Sequence, residues 1–340
     1  MPNRLFWAGE ALSIHETING LDAPEAQSSK LVSAVQSVGL STTFNLDQVF
    51  QLGQLSLYED VEDIPDIEIV VERVVSDDSS MYILAGGDSG DTLTQNQNKL
   101  QCDLYFSLYP DTQDNADDGV PVAQAHCSGM YVSSMAWTFP TDGNVTESFT
   151  FVGNGKKWNS TPVQLDFSGG ALPTATADAK VWRRQQVELS TVPTMVETAC
   201  GANPKVQSAS ISIDLGREAI NQLGKKLPYY RYVTYPVEVT CELEVLVHDP
   251  SAATGEVADG ADAVPDPDAG AGTNVSKDSI KFTGTGRTST TGLDKEWDLG
   301  TANTVSGISW GGGSTGGENA TLTFSYRNFN FFTYTESATA

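Results

Sequence analysis

One pattern constrains the fold of this chain more than any other: its second half repeats its first. Val35-Gln36-Ser37 recurs as Val206-Gln207-Ser208, and Gln51-Leu52-Gly53 recurs as Gln222-Leu223-Gly224, both at an offset of 171 residues. Tyr58 and Pro65 recur at the same offset, as Tyr229 and Pro236. Similarity over so long a period is typical of a duplicated structural unit. We therefore predict two copies of one domain, residues 1–170 and residues 171–340.

The match continues beyond the prolines with small changes of offset. Ile67-Glu68-Ile69 aligns with Val237-Glu238-Val239 and Glu72 with Glu242, an offset of 170. Near the end of each half the offset becomes 173, which pairs the following residues: Val132 with Val305, Trp137 with Trp310, Thr150 with Thr323, and Phe151 with Phe324. Three segments in the same order favour duplication over a chance likeness among β-rich stretches.

The local patterns indicate β-strands. Alternating apolar and polar residues, rich in β-branched and aromatic types, are typical of half-buried strands. Such runs occur at residues 67–71, 104–108, 148–151, 237–243 and 321–324. The 31 glycines and frequent Asp, Asn, Ser and Thr interrupt these runs at short intervals, as turns between antiparallel strands do. We predict a mainly β protein of two tandem sandwich or barrel domains.

Each copy also contains a segment that we interpret as a short flanking helix. Residues 46–52 and 217–223 place apolar side chains at helical spacing, and Thr43 and Asp214 could cap their starts. Gly53 and Gly224 follow them, where a helix end favours a left-handed residue. A second strand should begin after each proline.

The loops after these segments differ in charge between the copies. Residues 54–63 are acidic, whereas residues 225–232 are basic and aromatic. If copies alternate around a ring, one loop could bind the surface of its neighbour and fix the order of the units. The alternative is that each loop is a solvated turn. The candidate subunit-interface residues are Tyr58, Glu59, Asp60, Glu62, Lys225, Lys226, Tyr229, Tyr230 and Arg231.

We find no pattern that indicates an enzyme. The three histidines, His15, His126 and His248, lack partners at metal-ligand spacing, and the sequence has no phosphate-binding loop or nucleophile elbow. The Asp-rich residues 111–118 and 259–268 could offer oxygen ligands to calcium, but their spacing favours solvated loops. We therefore expect no catalytic residue, no metal and no cofactor.

Charge and cysteine content narrow the classes further. A net charge of -25, from 19 basic and 44 acidic residues, argues against a surface that neutralises nucleic-acid phosphates. No apolar run is long enough to span a bilayer and the N-terminus does not look like a signal peptide, so we expect a protein made in the cytosol without a membrane anchor. Cys102, Cys127, Cys200 and Cys241 are scattered, which indicates small buried residues instead of a disulfide scaffold.

Two stretches resemble virion structural proteins of tailed phages. They are residues 214–231, continuing into 236–242, and the closing runs 307–313 and 324–330. The resemblance covers residues 206–335 and, through the repeat, extends to 35–151. It implies a tail tube fold, a β-sandwich or barrel whose subunits form rings that stack into a hollow conduit.

The resemblance also implies how this chain would assemble. Rings of this family usually contain six single-domain subunits, so a duplicated chain would make a pseudo-hexameric ring from three copies. The partners would be the chain itself, other tail proteins and viral DNA that passes through the lumen without specific binding. Carboxylates facing the lumen would repel that DNA. The protein would be assembled in the host bacterial cytoplasm and end in the virion tail.

Two other functions remain open at this stage. A tail hub, distal-tail or terminator component would use the same paired domains in a single ring. A carbohydrate-binding β-sandwich protein would instead act as a monomer with an exposed aromatic platform.

Overall fold

A computed structural model describes most of the chain. The described residues are 9–16, 18, 20–21, 29–96, 99–109, 120–159, 162, 180–200, 203–225, 227–246, 277–287, 292–311 and 319–338. The predicted boundary between residues 170 and 171, residue 226, His248 and both Asp-rich loops lie outside these ranges. The division into domains at that boundary therefore stays a prediction.

The protein is mainly β, as predicted; four of the five predicted runs fall wholly in strands, and the fifth, 237–243, lies in β15 except for Val237. The described residues include two short helices, α1 (Met81–Leu84) and α2 (Thr194–Cys200). The strands of the first half are β1 (Glu10–His15), β2 (Lys30–Leu31), β3 (Val35–Thr43), β4 (Leu46–Phe50), β5 (Leu57–Glu62), β6 (Asp66–Val74), β7 (Gln101–Leu108), β8 (Ala123–Pro140), β9 (Thr146–Gly153) and β10 (Gly155–Asn159). The others are β11 (Val187–Thr191), β12 (Lys205–Asp214), β13 (Glu218–Ile220), β14 (Tyr230–Tyr232), β15 (Glu238–Leu246), β16 (Lys277–Asp278), β17 (Lys281–Gly284), β18 (Leu293–Asp298), β19 (Asn303–Gly311), β20 (Thr321–Phe329) and β21 (Thr333–Ala338).

Two groups of four strands within the 13-stranded main sheet have the same topology. The first unit has the spatial order β3-β6-β9-β8, and the second unit has the order β12-β15-β20-β19. All these pairings are antiparallel. The units meet where the last strand of the first, β8, pairs with the first strand of the second, β12. The first unit thus contributes its last strand to this contact, and the second unit contributes its first strand.

The units also share their irregularities. Gln36 is the unpaired residue of a bulge in β3, and Gln207 is its counterpart in β12. Their side-chain amides each donate to the backbone carbonyl two residues earlier, both at 3.2 Å. The bulges of β8 and β19 fall on Ser133 and Ser306. Bulges increase local twist, so the two units bend at the same two places.

The pairing corrects part of the sequence alignment. The offsets of 171 between β3 and β12 and of 173 between β8 and β19 are confirmed. In β6 and β15, however, Glu72 matches Glu244 and not Glu242. In β9 and β20, Phe151 matches Tyr326 and not Phe324. Both errors are slips of two residues, which leave every side chain on the same face of the sheet and the pattern unchanged.

The two predicted flanking helices are wrong. Residues 46–50 form β4, which pairs with β5, and residues 218–220 form β13, which pairs with β14. Thr43 and Asp214 are therefore strand residues and not helix caps. Both segments are instead hairpins that leave the sheet between the first two strands of each unit.

The main sheet buries one face against a smaller sheet of order β11-β17-β18-β21. Aromatic rings join the two layers: Phe139 stacks on Phe282 at 5.0 Å, and Trp137 lies parallel to Tyr334 at 6.1 Å. Burial of this apolar surface is the main stabilising contribution to the sandwich. All four cysteines are free and buried, as predicted.

A buried carboxylate connects the sheet to α1. Glu147 forms an ion pair with Arg73 and accepts hydrogen bonds from Ser80 Oγ at 2.7 Å, Met81 N at 3.0 Å and Trp137 Nε1 at 3.0 Å. Burial alone would raise the pKa of Glu147, but the charges of Arg73 and Lys295 and the hydrogen bonds from Met81 N and Ser80 Oγ hold that pKa below its ordinary value. Glu147 therefore stays ionised inside the core.

We expect Glu147→Gln to lower the free energy of unfolding by about 3–5 kcal/mol, because it leaves the Arg73 charge buried without its counterion. Urea denaturation at low protein concentration measures the change. A folded-state pKa below the unfolded value stabilises the protein above the unfolded pKa, so the wild-type advantage should disappear as pH falls through the folded pKa.

Lys281→Met serves as the control. It removes two partly exposed ion pairs, one with Glu296, 2.7 Å between Nζ and Oε1, and one with Asp298, 3.7 Å between Nζ and Oδ2, and should cost less than about 1 kcal/mol. Equal losses in both variants would contradict the role given to Glu147.

Candidate functional site

The two hairpins form equivalent projections, which we call arms. The acidic arm comprises residues 44–63, with five carboxylates and no Lys or Arg; the basic arm comprises residues 218–232, with three basic residues and one acidic. Their paired residues correspond at the offset of 171. The arms are therefore the same structural element with opposite charge.

The arms end in the same tight turn. Gln54 N donates to Gln51 O at 3.1 Å, and Lys225 N donates to Gln222 O at 3.2 Å. The third residue of each turn is a glycine with positive φ, 90° in the acidic arm and 82° in the basic arm. This is the position where a type II turn favours glycine. The residue before each glycine, Leu52 or Leu223, is fully exposed, at 101% in both.

The acidic arm contacts the main sheet at its base, where Asn45 Nδ2 donates to Asp66 Oδ2 at 3.0 Å. Every residue of β4 and β5 is exposed. The arm carries large exposed apolar side chains, including Phe44, Leu46, Phe50, Leu52 and Leu55. An isolated two-stranded hairpin is marginally stable in water, and a contiguous exposed apolar surface indicates an interaction site. The exposed strands and apolar side chains of the acidic arm therefore indicate an interaction surface.

The basic arm is instead packed on the first unit of its own chain. Arg231 forms an ion pair with Asp66, 3.0 Å between Nη2 and Oδ1, and donates to Asn154 Oδ1 at 2.8 Å. Tyr230 contacts Tyr131 edge to face, with ring centroids 5.7 Å apart. These contacts fix the arm across the end of the first unit.

Arg217 anchors the base of the basic arm. Its guanidinium donates to Val132 O at 3.0 Å and to Lys99 O and Arg231 O, both at 3.3 Å, and lies 5.2 Å from the centroid of Tyr131. Burial lowers the pKa of Arg217 and raises that of Tyr131. The acidic arm has Leu46 at the position of Arg217, and that side chain is exposed.

The predicted interface residues fall into three groups. Tyr58, Glu59, Asp60 and Glu62 lie exposed on β5, and Lys225 and Tyr229 lie exposed near the tip of the basic arm. Tyr230 and Arg231 contact the first unit within the chain, and Lys226 lies outside the described residues. Sequence reasoning missed Arg217, Tyr131, Asp66 and Asn154, because these contacts join residues 77 to 165 positions apart or fall in the wrongly predicted helix.

The sheet edges at the two ends of the paired units are open. β3 pairs only with β6, and residues 307–311 of β19 pair only with β20 among the described residues. Burial differs between these open edges and the pairing of β8 with β12, which we call the joint. Leu215, which follows β12 at the joint, is 2% exposed, whereas its counterpart Phe44 after β3 is 71% exposed. Trp137 in β8 is buried, whereas its counterpart Trp310 in β19 is 50% exposed. Unpaired edges of this kind are templates for strand pairing.

The outer face of the two units, which we call the open face, is polar and acidic. It carries small side chains such as Ser41, Ser212 and Thr323 between the strands' carboxylates. The carboxylates on this face are Asp66, Glu68, Glu72, Asp214, Glu238, Glu242 and Glu244. Arg327 is a basic residue on the same face.

The part of the chain that the structure describes contains no group of three or more His, Cys, Asp or Glu placed to hold a metal ion. Within the same ranges, no helix is long and apolar enough to cross a membrane. His126 is fully buried, with Nε2 3.1 Å from Asp103 Oδ2 and its ring stacked on Tyr105.

No family model and no curated protein matches this sequence. Among solved structures, a chain of the anti-feeding prophage (AFP) baseplate, determined by cryo-EM with six-fold symmetrisation, is 11% identical and has a TM-score of 0.34. The match covers 48% of this chain and all of that chain. At this TM-score the likeness carries no argument about function.

Replacing residues 46–62 with a short Gly-Ser linker should change the free energy of unfolding by less than about 1 kcal/mol, because the strands removed are exposed. Replacing residues 219–231 in the same way should cost about 2 kcal/mol or more, because it removes the contacts of Tyr230 and Arg231. Urea denaturation of both variants makes the comparison. Equal losses would show that the acidic arm is also packed within its own chain.

Proposed function

We propose that this protein is a structural subunit of a phage tail tube, in which copies join edge to edge into a ring and rings stack into a conduit for viral DNA. One observation carries the proposal: the chain pairs β8 with β12, while the equivalent strands β19 and β3 lack that partner strand among the described residues. A heterologous contact of this kind can repeat from copy to copy.

The internal joint specifies the register of the joint between copies. Within the chain, Ala136 lies opposite Ser212. At the offsets of 173 and 171, their counterparts are Ser309 and Ser41. In the proposed ring, Ser309 of one copy therefore lies opposite Ser41 of the next, and the flanking residues pair outward from there. The apolar side chains of Leu40 and Trp310 would then become buried at the joint, as Ile211 and Trp137 are within the chain.

A ring with one kind of joint would contain two units from each copy. The resemblance of the sequence to tail proteins gives six units, so three copies would close the ring. Closure into a ring would remove every open edge of the main-sheet units, which lowers the risk of unspecific aggregation. Stacked rings would cover the exposed tips of the arms.

The open face would line the conduit in this arrangement. Its seven carboxylates would repel DNA phosphates, so the genome could pass without binding. The partners would then be further copies, other tail proteins and the transported DNA, and the protein would reside in the virion after assembly in the host cytoplasm.

A tail hub, distal-tail or terminator component is the alternative, because the same joint could close one ring without stacking. Electron microscopy of the purified protein distinguishes the two. Filaments of constant bore support the tube, and single rings support the alternative.

We expect Trp310→Glu to abolish self-association, because it places a charge where the joint would bury an indole. Trp158→Glu is the matched control, since Trp158 is also 50% exposed but lies on β10, which pairs with β8 and not with either open edge strand. Sedimentation velocity measures assembly. Assembly of both variants, or of neither, would contradict an edge-to-edge joint.

A designed disulfide tests the register directly. Ser41→Cys combined with Ser309→Cys should cross-link neighbouring copies, because directly opposite Cα atoms lie about 4.5–5.5 Å apart. Non-reducing electrophoresis should show a ladder that ends at three chains.

Ser37→Cys with Ser309→Cys is the out-of-register control, displaced by four residues, and should not cross-link. The native cysteines are buried and do not interfere. A closed product of a different chain number would overturn the trimer, and cross-linking of the control alone would overturn the register.

Virions that carry Gln in place of Glu68, Glu72, Glu242 and Glu244 should assemble and eject DNA several-fold more slowly, because the wall would repel phosphates less. Dye-reported DNA release measures the rate. Glu188→Gln with Glu197→Gln, on the side of the smaller sheet, should leave ejection unchanged. Unchanged kinetics in the first variant would exclude an open face that lines the conduit.

A further inference from the structure

The surface that receives the basic arm has a counterpart on the second unit. In the first unit, Gln101, Tyr131 and Val152 lie side by side on β7, β8 and β9. In the second unit, Lys277, Thr304 and Arg327 lie side by side on β16, β19 and β20. Tyr131 and Thr304 correspond at the offset of 173, so the two rows occupy the same place in each unit. The basic row comprises Lys277, Thr304 and Arg327.

The first row is occupied within the chain, and its occupant defines what should bind the second. Tyr230 of the basic arm packs on Tyr131. The position of Tyr230 in the acidic arm is Glu59, and the position of Arg231 is Asp60. We infer that the acidic arm of one copy binds the basic row of the next copy, with the Glu59 carboxylate between the charges of Lys277 and Arg327. This inference rests on the proposed edge-to-edge ring.

Charge supports this partner. Lys277 and Arg327 are both exposed, whereas the corresponding residues of the first unit, Gln101 and Val152, are uncharged. The acidic arm carries five carboxylates and no basic residue, which is complementary to the basic row. The acidic arm thus has more negative charge than the basic arm, and the row that it would bind has more positive charge than the row that binds the basic arm.

The carboxylate of Glu238, beside the basic row, predicts opposite effects for Glu59 and Asp60. Within the chain Arg231 binds Asp66 and Asn154, whose counterparts in the second unit are Glu238 and Phe329. Asp60 would therefore face the exposed carboxylate of Glu238, a repulsive contact. Glu59 should strengthen the contact between copies, and Asp60 should weaken it.

The two joints consequently differ in their response to salt. The internal joint is held by strand pairing, an aromatic contact and buried hydrogen bonds of Arg217, which salt screens little, together with the partly exposed ion pair of Arg231 with Asp66. The joint between copies adds exposed ion pairs, which salt screens strongly. High salt should separate copies without opening the joint within a chain.

Sedimentation velocity across a salt series tests the inference with single charge changes. Arg327→Glu should weaken self-association about tenfold or more at low salt and reduce its salt dependence. Glu59→Lys should weaken it similarly, and the double variant should recover assembly because the charges are exchanged. Asp60→Asn is the matched control one residue away, and it should leave assembly unchanged or strengthen it.

The outcomes separate this inference from the proposed function. Wild-type protein that assembles, together with an Arg327→Glu variant that assembles equally well at every salt concentration, would overturn the inference alone. Weakening by both single variants without recovery in the double variant would also overturn it. Wild-type protein that stays monomeric at all concentrations and salt levels would overturn both. Circular dichroism of each exposed-site variant verifies that the chain remains folded.

Discussion

The pairing of β8 with β12 is the contact on which the rest of the architecture depends. A strand edge exposes a row of backbone donors and acceptors, and these groups need partners wherever water is excluded. Within the part of the chain that the structure describes, one such pair of edges is joined internally and an equivalent pair has no partner strand. The burial of Ile211 and Leu215 at the closed joint, against the exposure of Phe44 at the open edge, shows how much packing depends on that pairing. The arms and the open face take their positions from the same arrangement.

The core keeps the joint in a fixed geometry. Trp137 lies on the joint strand β8, and its indole donates to Glu147, which also holds α1 and Arg73. A buried, fully bonded carboxylate of this kind restricts the relative positions of the elements it touches, because every displacement leaves a charge unpaired. The sandwich interior therefore orients the strand that forms the contact between units.

The sequence predicted the fold class, the repeat and the strand positions, because period-2 patterns and the offset of 171 depend on local spacing. It could not place the gaps within the repeat, since a slip of two residues between Glu242 and Glu244 preserves the face of every side chain. It also misread the arms as helices. Leu46, Val49 and Phe50 have helical spacing, and an arm with no buried face has no burial pattern to correct that reading. The anchoring by Arg217 depends on contacts with Val132 and Lys99, which only the folded chain brings near.

The bulges at Gln36, Ser133, Gln207 and Ser306 bend the main sheet. A bulged strand bends, and here each unit carries the bends on its first and last strands. Curvature is therefore a property of the repeated unit, inherited by every copy in the same sense. In the proposed ring, the positions of these four bulge residues in the sequence would therefore determine the diameter of the channel.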